Sequence, residues 1–208
     1  MPKTFYIIDG HAQIYAALFA PFQGNLTAPD GEPTKATYIF TTMLLKIIKQ
    51  RQPDFLAVAM DSKGKTFRHE MYQEYKANRP EMPEELPPQI DRIEEILAAM
   101  NIPIFRVDGF EADDVIGTLT DAAAEKGCQV YICSKDKDLE QLISDTVFMY
   151  DPKTETVTDI AALKENKGIS PEQVIDVLTL VGDTSDNVPG VPDVGPKTAL
   201  QWIGQYGS

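Results

Sequence analysis

Short apolar runs alternate along the chain with longer stretches of helical spacing. Phe5-Tyr6-Ile7-Ile8, Phe55 to Met60, 102–107 and 129–134 read as buried strands, because each is brief, continuous and bounded by polar or turn residues. Between them the apolar positions recur every three or four residues. The predicted helices cover 11–20, 34–50 (Ile39, Met43, Leu44, Ile47) and 87–100 (Ile90, Ile93, Ile96, Leu97, Met100); a further one, with Val115, Ile116, Leu119, Ala122 and Ala123, stops at Gly127. Strands alternating with helices predict right-handed crossovers and a mainly parallel sheet, an α/β fold. The Gly-, Pro-, Asn- and Asp-rich stretch 21–33 reads as a loop, and 148–158 as a small hairpin or irregular edge turned at Pro152-Lys153. A helix over 171–181 and another starting near Pro196 complete the pattern.

Each of the four strand-like runs leads into carboxylates. Asp9 follows the first, Asp61 the second, Glu111, Asp113 and Asp114 the third, and Asp136 and Asp138 the fourth. Asp136 and Asp138, two apart, share one face if that strand persists. A single strand-end aspartate is ordinarily a helix cap, and acids in a first helical turn are favoured by the helix dipole alone. Four successive strands delivering acids to the carboxyl edge of a parallel sheet, where ligands bind, are poorly explained by capping. An oxygen-only site without histidine or cysteine selects a hard cation, magnesium or manganese, and this many acids suggests two ions about 4 Å apart, an arrangement suited to phosphoryl chemistry. His11 and His69 are too far apart in sequence to suggest a zinc site.

Charge sharpens this picture. The 208 residues carry a net charge of -13, which by itself argues against a nucleic-acid partner. The deficit is concentrated: residues 81–145 hold sixteen acids against five bases, whereas 61–80 hold five bases against three acids. Bound cations would offset the first segment. In the second, Lys63, Lys65, Arg68, Lys76 and Arg79 alternate with Phe67, Tyr72 and Tyr75, a composition shared by polar surface loops and by segments that grip phosphates and stack bases. Near the end, Asp183 and Asp186 add two acids, and Gly190 and Gly195 permit a tight turn into a helix whose free N–H groups can hold a phosphate without reading a base.

Cys128 and Cys133 lie five apart on one apolar run, on opposite faces of an extended chain, and are expected as free thiols. With 43% apolar residues, no eighteen-residue apolar span and no secretory leader, the chain is expected to be soluble, cytoplasmic and monomeric, one domain or a domain plus a small appendage, with no membrane contact.

Six motifs in a single order, IIDG, AMDSKGKTFRHE, YKANRP, EADDVIGTL, SKDKDLEQL and GDTSDNVPGVPDVGPKTA, resemble the 5′ nuclease (flap endonuclease) family, most closely the N-terminal 5′-3′ exonuclease domain of bacterial DNA polymerase I. The likeness covers essentially the whole chain. It implies a PIN-like α/β catalytic domain over 1–170 with a helical arch at 62–82, then a helix-hairpin-helix type DNA-binding region over 171–208. It also implies that Asp9, Asp61, Glu111, Asp113, Asp114, Asp136, Asp138, Asp183 and Asp186 hold two Mg2+ or Mn2+ ions, with Asp61 and Asp136 central to catalysis. By the same resemblance Tyr75, Lys76 and Arg79 meet the scissile phosphate and a neighbouring base, while Gly190, Gly195 and Lys197 hold duplex phosphates beside a potassium ion bound through backbone carbonyls. Two departures stand out. Tyr15 is followed by Ala16, where the family commonly has arginine, and the chain ends at Ser208, short of the helices that complete the nuclease domain in relatives. The expected activity is metal-dependent 5′-3′ exonucleolytic and flap-endonucleolytic cleavage of DNA with a 5′ flap, nick or free 5′ end, leaving 5′ phosphates during primer removal and repair, with a polymerase domain fused in the full-length protein. The rival readings are a PIN-like ribonuclease and a catalytically weak DNA-binding module.

Overall fold

A computed structural model describes residues 2–22, 24 and 26–207; residues 23 and 25 of the expected 21–33 loop and the terminal Ser208 lie outside the described part. The first half runs β1 (Thr4–Asp9), α1 (Gly10–Leu18), α2 (Lys35–Arg51), β2 (Phe55–Ala59), α3 (Phe67–Met71), α4 (Leu86–Ala99) and β3 (Ile104–Phe105). The second half runs α5 (Ala112–Ala124), β4 (Gln129–Cys133), a 3-10 turn (Lys137–Leu142), β5 (Val147–Asp151), β6 (Thr156–Thr158), α6 (Ile160–Lys167), α7 (Val174–Val181), β7 (Gly182–Asp183), β8 (Val188–Pro189) and α8 (Pro196–Tyr206).

Six strands form one sheet in the order β3-β2-β1-β4-β5-β6, and β7 pairs with β8 in a separate hairpin. The first five are parallel and β6 is antiparallel to β5, so 148–158 is the hairpin its turn residues predict. Period-two alternation splits the core across the sheet. Tyr6 and Ile8 of β1 pack with Phe40, Leu44 and Ile47 of α2 and Ile93 and Leu97 of α4. Ile7, between them, faces Val115 and Ile116 of α5 with Val130 and Ile132 of β4. Cys133 and Cys128 fall on these opposite sides, both buried and free.

Local chemistry sets the element ends. The side chain of Thr34 does not cap α2; the buried amide of Gln89 on α4 accepts from the Ala36 N–H at 2.7 Å instead, tying two helices of one layer together. The expected strand 102–107 contracts to two residues, because Pro103 offers no ladder donor and the chain turns away through Gly109 at φ +82. The strand 129–134 ends at Cys133, so Asp136 and Asp138 do not lie on one strand face as alternation would have placed them. Within 62–82 only Phe67–Met71 is helical; the rest is turns and extended chain. The register that matters most joins Ile8 to Cys133 and Asp9 to Ala59 across the central strands, which brings the carboxyl ends of β1, β2 and β4 level.

Candidate functional site

The strand-end acids gather along this level edge, and each is held by the local structure that delivers it. Asp9 closes β1 and caps α1: it is 5% exposed, and its Oδ1 accepts from the Ala12 N–H at 3.2 Å. Its other oxygen, Oδ2, accepts the Ser134 hydroxyl at 2.8 Å. Asp61, just past β2, reaches across to cap α5, its Oδ1 accepting from the Ala112 N–H at 2.8 Å. The Asp61 N–H in turn donates to His11 Nδ1 at 3.1 Å, which fixes that histidine as the Nε2–H tautomer; burial holds its pKa low, in keeping with a neutral ring. Asp136 caps the 3-10 turn by accepting from the Asp138 N–H at 2.9 Å.

Burial and crowding act together here. The Asp113 carboxyl, on the first turn of α5, is pushed up to about 8 by burial and then by Asp9, Asp136 and Asp61. Asp9 rises to about 6 through burial, despite its hydrogen bonds from Ser134 and Ala12, with Asp61 and Asp136 adding to the rise. Asp138 also rises to about 6, through burial and then through Asp136 and Asp183. Four elements therefore bring their acids within electrostatic reach of one another.

The remaining acids already have cationic partners, all but one of them from the basic, aromatic segment. Arg68 forks onto Asp114 at 2.7 and 2.8 Å, which holds that carboxyl below its ordinary range, and Asp114 also accepts from the Glu111 N–H at 3.0 Å. Lys76 Nζ sits 2.7 Å from Glu111 and 3.8 Å from Asp186. The Tyr75 hydroxyl lies between the same two carboxylates, 2.8 Å from Glu111 and 2.9 Å from Asp186, and its pKa is raised by burial and by both. Arg79 pairs with Asp186, and Lys137 with Asp183 at 3.1 Å. Backbone contacts reinforce the docking: the Lys76 N–H donates to Asp186 O at 2.9 Å, Asn78 to Thr184 O at 2.7 Å, and Asn187 to Glu74 O at 2.7 Å. Residues 74–79 thus form a strap latched onto the 183–187 loop. The composition of this segment is also that of a polar surface loop; the structure instead seats Lys76 on Glu111 and both Lys76 and Arg79 on Asp186, more than a hundred residues away.

Among the described residues no three side chains converge tightly enough, as they stand, to ligate a single ion. The donor set nevertheless fits a hard divalent cation. It is built from carboxylate oxygens, it is crowded enough to resist ionisation, and Asp138 Oδ1 is buried with no hydrogen-bond partner among the described residues. Against it lies a groove of about 900 Å³, walled by Tyr72, Leu142, Ile175 and Val188.

Gly190 follows the β7-β8 hairpin and packs on Gly182, the neighbour of Asp183, while Gly195 and Lys197 stand at the start of α8. Gly190 packs where β8 crosses the end of α7: a Cβ there would lie 2.3 Å from the Val181 carbonyl. Gly195 is the N-cap of α8 and Lys197 is exposed in its first turn, so α7, the β7-β8 hairpin and α8 form the helix-hairpin-helix outline that the sequence predicts. Two residues of the site escaped the sequence reading. His11 has no partner at metal-like spacing and Ser134 carries no charge to mark it, although a hydroxyl two positions before Asp136 is a turn signal.

Comparison with known proteins places the chain in a family. The family described as "5′-3′ exonuclease, N-terminal resolvase-like domain" matches residues 4–168, and "5′-3′ exonuclease, C-terminal SAM fold" matches residues 169–208. A 5′-3′ exonuclease of Aquifex aeolicus is 42% identical over 206 residues, spanning 99% of this chain and 71% of that protein. DNA polymerase I of Chloroflexus aurantiacus is 43% identical over 97% of this chain, which spans only 22% of the polymerase's length. A crystal structure of a bacteriophage T5 flap endonuclease with DNA and metal ions shares the fold, with a TM-score of 0.77 over 99% of this chain and 76% of that one at 22% identity. By sequence and by fold, the chain belongs to the 5′-3′ exonuclease family.

Proposed function

We propose that this chain is the nuclease portion of a DNA-processing enzyme: a 5′-3′ exonuclease and 5′ flap endonuclease that hydrolyses DNA phosphodiesters, leaves 5′ phosphates and requires two divalent ions, Mg2+ or Mn2+. The observation that carries this reading is the meeting of Asp9, Asp61, Asp113 and Asp136 from four different elements at the carboxyl edge of the sheet, where Asp61 and Asp136 raise the cost of ionising Asp9, and all three raise that of Asp113. Asp9, Asp61, Glu111, Asp113, Asp136, Asp138, Asp183 and Asp186 are the residues to hold the ions, with Asp114 tied to Arg68 at their edge. Bound divalent cations supply there the Lewis acidity that neutralises a phosphodiester and makes water nucleophilic near neutral pH.

The chain's own groups supply the rest. Lys76 and Arg79 rest on Glu111 and Asp186; once cations occupy those acids, both side chains are free to turn to the scissile phosphate and steady the charge that develops on it. Tyr75 offers an aromatic face to the adjoining base. Gly190, Gly195 and Lys197 hold duplex phosphates through backbone N–H groups and one ammonium, with a potassium ion on the hairpin carbonyls. In domain terms, 1–170 carries catalysis and 171–208 grips the duplex. The family's DNA polymerase I members suggest a fused polymerase in the full-length protein. Among the described residues no helix is long and apolar enough to cross a membrane; the reading places the chain in the cytoplasm as a monomer.

The deciding experiment is cleavage of a 5′-flap duplex with Mg2+ and with EDTA, for wild type and Asp136→Asn. Magnesium-dependent cutting is expected from wild type alone, with DNA binding retained by the variant. Undiminished turnover by Asp136→Asn would refute the site assignment, and cutting of single-stranded RNA in preference to flap DNA would favour a ribonuclease.

A further inference from the structure

One hydroxyl sits where two strands hand over their acids. Cys133 is paired in register with Ile8, so the residue after each strand partner stands level with the other: Ser134 beside Asp9. Ser134 is 3% exposed, and its Oγ is committed twice. It donates to Asp9 Oδ2 at 2.8 Å and accepts the Asp136 N–H at 3.1 Å. The first bond complements the Ala12 N–H on Oδ1, so both oxygens of Asp9 are directed and its carboxylate plane cannot swing. The second closes a serine turn that ends β4 and swings Asp136 into the cap of the 3-10 turn, where it takes the Asp138 N–H. A third contact, the Ser134 N–H to Ile132 O at 3.1 Å, tightens the same bend.

We propose that Ser134 is a positioning residue for the nuclease centre, setting the orientation of Asp9 at the end of one strand and the placement of Asp136 in the turn after its neighbour through a single oxygen. The inference rests on the reading of these acids as cation ligands. Neither acid could be placed from its own segment alone: α1 engages only one oxygen of Asp9, and β4 is over before Asp136 begins. Outer hydrogen bonds of this kind orient ligands before the ion arrives, and their loss typically weakens metal affinity by about 10–100-fold. Serine supplies the hydroxyl in the least space; threonine keeps the same oxygen.

The test measures Mn2+ affinity by calorimetric titration of the full 208-residue chain, alongside flap cleavage and thermal unfolding in EDTA. Ser134→Ala is expected to weaken Mn2+ binding by about 10–100-fold and to lower kcat with KM for DNA little changed. Ser134→Thr is expected to stay within about threefold of wild type, the hydroxyl being retained. Thr120→Val, which removes a buried hydroxyl that has no partner among the described residues, is the control for loss of a core hydroxyl and should leave Mn2+ affinity unchanged. Wild-type Mn2+ affinity in Ser134→Ala would overturn the proposal, as would an equal loss in Thr120→Val. Should Ser134→Ala fail to fold, Ser134→Thr decides: near-wild-type affinity supports the role, and a tenfold loss overturns it. Absence of Mn2+ binding by wild type would instead overturn the cation-ligand reading itself, and the role of Ser134 with it.

Discussion

Asp113 and Asp114 are adjacent in sequence, and their surroundings drive them in opposite directions. Burial and three neighbouring carboxylates push Asp113 up to about 8, whereas the Arg68 guanidinium holds Asp114 below the ordinary carboxylate range. Consecutive residues of a helix point about 100° apart, so one faces the rim of acids and the other faces α3. Opposite stability effects are expected from the same chemical change. In EDTA at pH 8, Asp113→Asn should stabilise the fold by about 1 kcal/mol by removing a repelled, half-buried charge while abolishing cleavage, the trade-off common at functional sites. Asp114→Asn should destabilise it by about 1–3 kcal/mol by breaking a charge-assisted fork. Thermal unfolding of the two variants side by side checks both. The acids were legible in the sequence because carboxylates after apolar runs are visible one by one. Which of them would be claimed by arginine was not, since Arg68 and Asp114 are 46 residues apart and nothing in spacing pairs them.

At the scale of elements, helical periodicity located α2, α4 and α5 to within a few residues, because a long amphipathic stripe is a strong signal. It did not reveal how the strap over 74–79 would sit, because a short basic segment has no stripe and takes its conformation from the loop it docks on. That docking depends on backbone shapes. Asn187 holds φ +58 and donates to Glu74 O, so Asn187→Ala loses the bond and pays about 1 kcal/mol in a conformation alanine resists. Amide exchange over 72–79 should then speed up by about tenfold while β1 and β4 are unaffected. The hairpin is stricter. A methyl group at Gly190 would meet the Val181 carbonyl, and Gly182 on the facing strand has φ +71 with Pro189 crossing it closely. Gly190→Ala is expected to cost about 2 kcal/mol or more and to lower duplex affinity, read by thermal unfolding and by filter binding to flap DNA.

Across the whole molecule, the acidic edge sets how stability responds to pH. Asp113 titrates near 8 in the folded chain against an ordinary 3.8, and Asp9 and Asp138 near 6. Acids raised in this way contribute stability that is fully present below about pH 4 and is lost as pH climbs through 6 to 8. Asp114 and Asp183 are lowered, so their contribution is present above about pH 4 and fades as pH falls further. The cation-free protein should therefore unfold at its highest temperature near pH 4 and at a lower one by pH 8.5, and Mg2+ should flatten that slope; a scan of unfolding temperature against pH with and without Mg2+ reads it directly. The parallel sheet and the charge asymmetry behind this were legible from the alternation of elements and the crowding of acids in 81–145. The latch between the strap and the far loop was not, being a contact between segments more than a hundred residues apart. β1 is hydrogen-bonded along both edges, to β2 and to β4, and Asp9 is its last residue. Fraying under mild heat or dilute denaturant begins at the periphery, so it should silence the enzyme by unseating its outer pieces long before the anchorage of that first aspartate is disturbed, and cooling should restore full function without refolding the interior.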